Sequence, residues 1–64
     1  MTETFDYRGK RIEVTASKVG KRWTWHYTID GRNFKQNSEE FAPDGTTAIS
    51  EGKWHAQGAI DRTP

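Results

Sequence analysis

The sequence predicts an α+β domain, an antiparallel meander of three to four strands with one C-terminal helix packed on one face. Three observations carry this. Residues 23–29 alternate strictly, with Trp23, Trp25, Tyr27 and Ile29 apolar and Thr24, His26 and Thr28 polar, the pattern of a strand with one buried and one wet face. Turn dipeptides recur about eleven residues apart at Gly9-Lys10, Gly20-Lys21 and Asp30-Gly31. Gly-X suits a type II′ hairpin turn and Asp-Gly a type I′ turn. Beyond Thr47 the small and apolar residues recur at helical spacing.

The strands fall at about residues 3–7, 11–18, 22–30 and 32–37. Tight turns set the register by arithmetic. The first pairs Tyr7 with Ile12 and Phe5 with Val14; the second pairs Val14 with Tyr27, Ile12 with Ile29 and Ala16 with Trp25; the third pairs Tyr27 with Phe34. Each register gathers apolar residues on one face, and a slip of one residue would scatter them. Residues 38–45 read as a connecting loop, with Phe41 tucked beneath it as a plug.

The helix spans about residues 47–62, with Thr46 or Thr47 as its N-cap and Thr63-Pro64 ending it. Ile49, Gly52, Ala56, Ala59 and Ile60 share one arc, with Ala48 at its edge. Gly52 costs about 1 kcal/mol of helix propensity relative to alanine. The flat stripe suits close packing on the rings of Trp23, Trp25 and Tyr27.

Sixty-four residues make one domain, residues 1–64, near the size at which a single core becomes marginal. The chain has no cysteine, so neither a disulfide nor a thiolate metal site is expected. Its eight aromatic side chains can each bury roughly 150–250 Å², which supplies a core that so short a chain could not build from aliphatics. The start of the chain lacks the pattern of a signal peptide, and no run reaches the length of a membrane span. A cytoplasmic protein without a membrane partner is the expectation.

The net charge of +1 conceals a segregation: residues 8–35 carry eight basic side chains against Glu13 and Asp30, a local +6. On the wet face the register arithmetic lines up Thr4, Thr15, His26 and Lys35 in one row, and Ser17, Thr24 and Asn37 in the next. Further rows hold Asp6, Glu13, Thr28 and Asn33, then Arg8, Arg11 and Asp30, where Arg11 is expected to pair with Asp30. Threonine-rich strands are ordinary solvated surfaces, since β-branching suits the pleat. Such a face can also supply donors and acceptors to a ligand. His26 has neither a carboxylate orienter nor a nucleophile beside it and reads as an exposed strand histidine rather than a catalytic base. His55 flanks the helix stripe, on the opposite side of the sheet from His26, so the two do not make a metal site. No catalytic, metal or cofactor-binding set emerges, and no cofactor is expected.

Trp54 stands out because it lies roughly opposite Ile49 and Ala56 on the wheel and so faces solvent, unless Phe41 or the 38–45 loop covers it. Exposed tryptophan is enriched in binding hot spots.

The residues G-K-R-W-T-W-H-Y-T-I-D-G-R and A-I-S-E-G-K-W-H-A resemble small uncharacterised bacterial domains of the W-x-W/Y-x-I-D-G…A-x-x-E-G type. The order of strands and helix is also similar, remotely and in topology, to the AP2-like N-terminal DNA-binding domains of tyrosine integrases, over about residues 10–62. That second resemblance implies a sheet lying in the DNA major groove, with Arg11, Thr15, Arg22, Thr24, His26 and Lys35 facing the nucleic acid. Two functions follow as expectations. The first is a noncatalytic interaction module that binds a protein partner or itself through Trp54 and an unprotected sheet edge. The alternative is a nucleic-acid-binding module. An enzyme is not expected, because a chain this short rarely forms a deep pocket.

Overall fold

A computed structural model describes residues 1–36 and 41–62, with residues 33 and 34 described by their backbone alone. The strands are β1 (Thr2–Tyr7), β2 (Lys10–Val19), β3 (Arg22–Ile29) and β4 (Arg32–Gln36), followed by the helix α1 (Gly45–Asp61). They form one antiparallel sheet in the order β1-β2-β3-β4, and α1 packs across β2 and β3. The fold is the α+β meander with a C-terminal helix that the alternation and turn spacing imply. The expected roles of Asn37 as the last residue of β4, and of Thr63 and Pro64 as the helix stop, lie outside the described residues, as does the Phe34 side chain.

The β2–β3 hairpin has the expected register, with Ile12 opposite Ile29, Val14 opposite Tyr27 and Ala16 opposite Trp25. Its turn places Gly20 alone in the left-handed region, at φ 63°. The β1–β2 hairpin differs. Its turn residues are Arg8 and Gly9, at φ 51° and 79°, so Phe5 faces Ile12 and Tyr7 faces Lys10, in place of the expected Phe5–Val14 and Tyr7–Ile12 pairs. The same Gly-Lys dipeptide is thus used in two ways. Val19 is β-branched and resists positive φ, so Gly20 must lead its turn, whereas unbranched Arg8 accepts that conformation and lets Gly9 stand second. Moving the turn by one residue shifts the pairing by two, which leaves each side chain on its original face.

The third hairpin keeps its Asp30-Gly31 turn, both residues at positive φ, and pairs Ile29 with Arg32. An irregularity then brings Lys35, not Phe34, opposite Tyr27, and Gln36 opposite His26. One extra residue in β4 accounts for the change, as in a β-bulge.

Ile12, Val14, Ala16, Trp25, Tyr27 and Ile29 of the sheet meet Ala48, Ile49, Ala56 and Ile60 of α1 in one core. Gly52 is buried among them, and a Cβ added there would lie 2.5 Å from Val14 Cγ1. The glycine therefore lets the helix approach the sheet more closely than alanine would. Trp25 stacks on Tyr27, with ring centroids 5.9 Å apart. Burial pushes the Tyr27 phenol above its ordinary pKa, an effect the Arg62 guanidinium partly offsets.

The expected plug is replaced by its neighbour. Phe41 is 44% exposed, whereas Ala42 is buried. Ala42 forms an antiparallel bridge with Trp23 through two backbone hydrogen bonds, of 2.9 and 2.7 Å. A methyl group fits where the chain lies directly against β3, and a phenyl ring would not.

The N-cap is Asp44 rather than Thr46 or Thr47. Its carboxylate accepts a 2.7 Å hydrogen bond from the Thr47 N–H, and its carbonyl accepts the first helical bond from Ala48. Gly45 thereby opens the helix in a space where a side chain would crowd Met1 and Trp23. The Thr47 amide and hydroxyl hold the Asp44 carboxyl below its ordinary pKa. A lowered folded-state value means that the cap stabilises the fold above the ordinary carboxylate pKa and is lost as pH falls through the folded value. Thermal melts should therefore show a drop in Tm for the wild type between about pH 4 and pH 2 that is smaller in Asp44→Asn, whose amide oxygen caps without titrating. Parallel Tm profiles for the two proteins would contradict this role for the carboxylate.

Candidate functional site

Two surfaces carry the candidate residues, the outer face of α1 and the sheet face turned away from the helix. Lys53, Trp54 and His55 follow one another at the helical step of about 100° and point in three directions. The Lys53 ammonium reaches toward β1, 2.8 Å from Glu3 Oε1 and 5.0 Å from the centroid of the Phe5 ring. His55 leans toward β3 and stacks on Trp25, with centroids 4.8 Å apart. Trp54 stands between them, opposite buried Gly52 and Ala56, and is 72% exposed. Its ring lies perpendicular to that of His55, with centroids 5.1 Å apart. Phe41 is itself exposed, so it does not bury the indole; residues 38–40 of the expected cover lie outside the described residues.

Positions Thr15, Thr24 and His26 lie on the sheet face away from the helix, as the alternation requires, with Thr15 opposite His26 and Thr24 opposite Ser17. Arg22 shares this face at the hairpin end, opposite Val19, and Arg11 lies at the other end of β2 beside Asp30. Lys35 does not join them. Because of the irregularity in β4 it lies opposite Tyr27, in register with the helix side of the sheet, and it is exposed there. The rows are accordingly Thr2-Thr15-His26-Gln36, Thr4-Glu13-Thr28 and Asp6-Arg11-Asp30, in place of those expected.

The charges on this face offset one another. Arg11 Nε lies 3.6 Å from Asp6 Oδ1, while Asp30 instead accepts the Arg11 backbone N–H at 2.9 Å and has Lys10 Nζ 4.0 Å away. The expected Arg11–Asp30 side-chain pair is therefore an Arg11–Asp6 pair, produced by the register shift between β1 and β2. Arg8 sits in the turn and reaches the end of the helix. Its Nε is 3.2 Å from Asp61 Oδ1, and the Tyr7 hydroxyl donates to the same carboxylate at 3.0 Å. This clasp compensates for an acidic residue at the negative end of the helix dipole.

A shallow cleft of about 230 Å³ opens between the start of β1 and the first turns of α1, lined by Met1, Glu3, Thr46, Ile49 and Ser50 among others. It is smaller than an ordinary ligand pocket of roughly 300–1,000 Å³. Among the described residues, no three His, Asp or Glu side chains gather as a metal site requires, and no helix is long and apolar enough to cross a membrane. No protein-family model, curated protein or solved structure matches this chain.

Proposed function

We propose that this chain is a noncatalytic protein-interaction module whose principal contact residue is Trp54. The observation that carries this is the exposed indole on the outer face of α1, in perpendicular ring contact with His55, which is itself stacked on the core residue Trp25. Anchoring to the core limits the entropy lost when such a ring enters a partner's pocket, and a large aromatic side chain desolvated there gives much of the affinity of an interface.

Trp54→Ala is expected to cost under about 0.5 kcal/mol in a urea melt, as for surface substitutions generally. A photo-crosslinking amino acid placed at position 54 in cells should yield a discrete adduct that is absent when it is placed at Glu13, exposed on the sheet face away from the helix. A stability loss above about 2 kcal/mol would mean that the indole is part of the packed structure. Equal adduct patterns at both positions would remove Trp54 as the contact.

A nucleic-acid contact, the alternative function, draws support from the β2–β3 hairpin end, where Lys18, Lys21 and Arg22 are exposed with no acidic residue among them. The remainder of the sheet face adds little attraction for phosphate, since Asp6, Glu13 and Asp30 share it with Arg11.

A further inference from the structure

We infer that the outer edge of β1 is a self-association site, at which a second copy of this chain adds its own β1 antiparallel and joins two four-stranded sheets into one. The two edges of the sheet are treated differently. β4 is interrupted in its pairing and carries Arg32 and Lys35, and beyond its end Ala42 bridges to Trp23. Irregularity and lysine are two of the devices that keep an edge from pairing. β1 has none of them. It pairs with β2 without a shift from Thr2 to Tyr7, contains no lysine or proline, and no strand among the described residues pairs with its outer side.

The hydrogen-bond pattern specifies which groups are on offer. Met1 and Ala16 exchange two backbone bonds, of 2.7 and 3.3 Å. In an antiparallel ladder such pairs alternate, so Glu3, Phe5 and Tyr7 also spend their backbone groups on β2. The N–H and C=O of Thr2, Thr4 and Asp6 then point outward.

Only a register that sets outward-pointing residues against one another can use these groups, and three centres do so for more than one residue. Pairing about Glu3 opposes two Glu3 carboxylates. Pairing about Phe5 leaves Thr2 unmatched. Pairing about Thr4 matches Thr2 with Asp6, Thr4 with Thr4 and Asp6 with Thr2 of the second copy, two hydrogen bonds at each, and no like charges face each other. On the helix side it sets each Glu3 opposite the second copy's Phe5, beside the Lys53 that already lies against both residue types within one chain. The acidic strand is thereby flanked by cations from both copies, Lys53 on one face and Arg11 on the other.

This site is separate from Trp54, so the two can be tested apart. Sedimentation equilibrium of the full chain from about 10 µM to about 1 mM should show the mass rising from 7.4 kDa toward twice that value. Thr4→Pro removes an outward N–H and no bond to β2, a placement that edge strands tolerate. It should leave the circular dichroism unchanged and the protein monomeric throughout. Thr4→Lys opposes two ammonium groups at the centre and should do the same, which decides the matter should the proline variant fail to fold. Trp54→Ala should associate like the wild type. A wild type that stays monomeric at about 1 mM overturns the inference and leaves the Trp54 contact standing. Thr4 variants that associate normally, or association lost in Trp54→Ala, overturn it as well.

Discussion

Trp25→Ala is expected to remove about half or more of this domain's stability. The ring is almost wholly buried, stacks with both Tyr27 and His55, and contributes to the wall against which Gly52 packs. Truncating a buried tryptophan costs roughly 3–5 kcal/mol, through lost transfer energy and the cavity left behind. A chain this short has a total stability of only about 3–10 kcal/mol, at the usual value per residue. Much of that would be spent on one residue, because so few large side chains build the core. A urea melt followed by far-ultraviolet circular dichroism would show the loss, with Trp25→Phe falling between the variant and the wild type. A loss below about 1.5 kcal/mol would show that the helix can settle into the vacated space.

Gly52→Ala should destabilise the fold even though alanine is the better helix former. The new methyl would lie 2.5 Å from Val14 Cγ1, and Val14 is 0% exposed, with no room to retreat. Overpacking of this kind costs roughly 1–3 kcal/mol or more, against a propensity gain of about 1 kcal/mol. Gly58 provides the control within the same helix, since a Cβ there meets only the mobile end of Arg62, at 3.3 Å. Gly58→Ala should therefore gain up to about 1 kcal/mol. Val14→Ala combined with Gly52→Ala should show strong coupling, because the smaller side chain removes the clash. If both glycine variants were stabilised alike, the close approach of helix and sheet at Gly52 would be disproved.

The faces of the elements were legible in the sequence because burial has a period, two in the strands and about 3.6 in the helix. Trp25, Tyr27 and Ile29 had to share a side, and Gly52 and Ala56 had to share another. Registers that differ by two residues leave that pattern untouched, so the shift to Phe5–Ile12 had no signature beyond the identity of the residue before each glycine. The irregularity in β4 was equally hidden. It moved Lys35 out of the row that holds Thr15 and His26, and with it one of the proposed nucleic-acid contacts. Asp44 carries no clear cap signal in the sequence because a glycine follows it and reads as loop, whereas the lack of a side chain at Gly45 is what admits Met1 and Trp23. The exposure of Trp54 was readable from the wheel, but the bracing of His55 against Trp25 was not, since periodicity does not reveal a contact between elements.

The strand order β1-β2-β3-β4 also bears on how the chain folds. Every strand pairs with its neighbours in sequence, so the sheet can zip outward from two-residue turns with little loop-closure entropy to overcome. Such topologies have low contact order for their strand content and fold fast for β-rich proteins. The long-range step is the return of α1 across β2 and β3, because only then do Gly52, Ala56 and Ile60 reach the rings that the hairpins have arranged. The β2–β3 hairpin is in that sense a template onto which the small-faced helix docks.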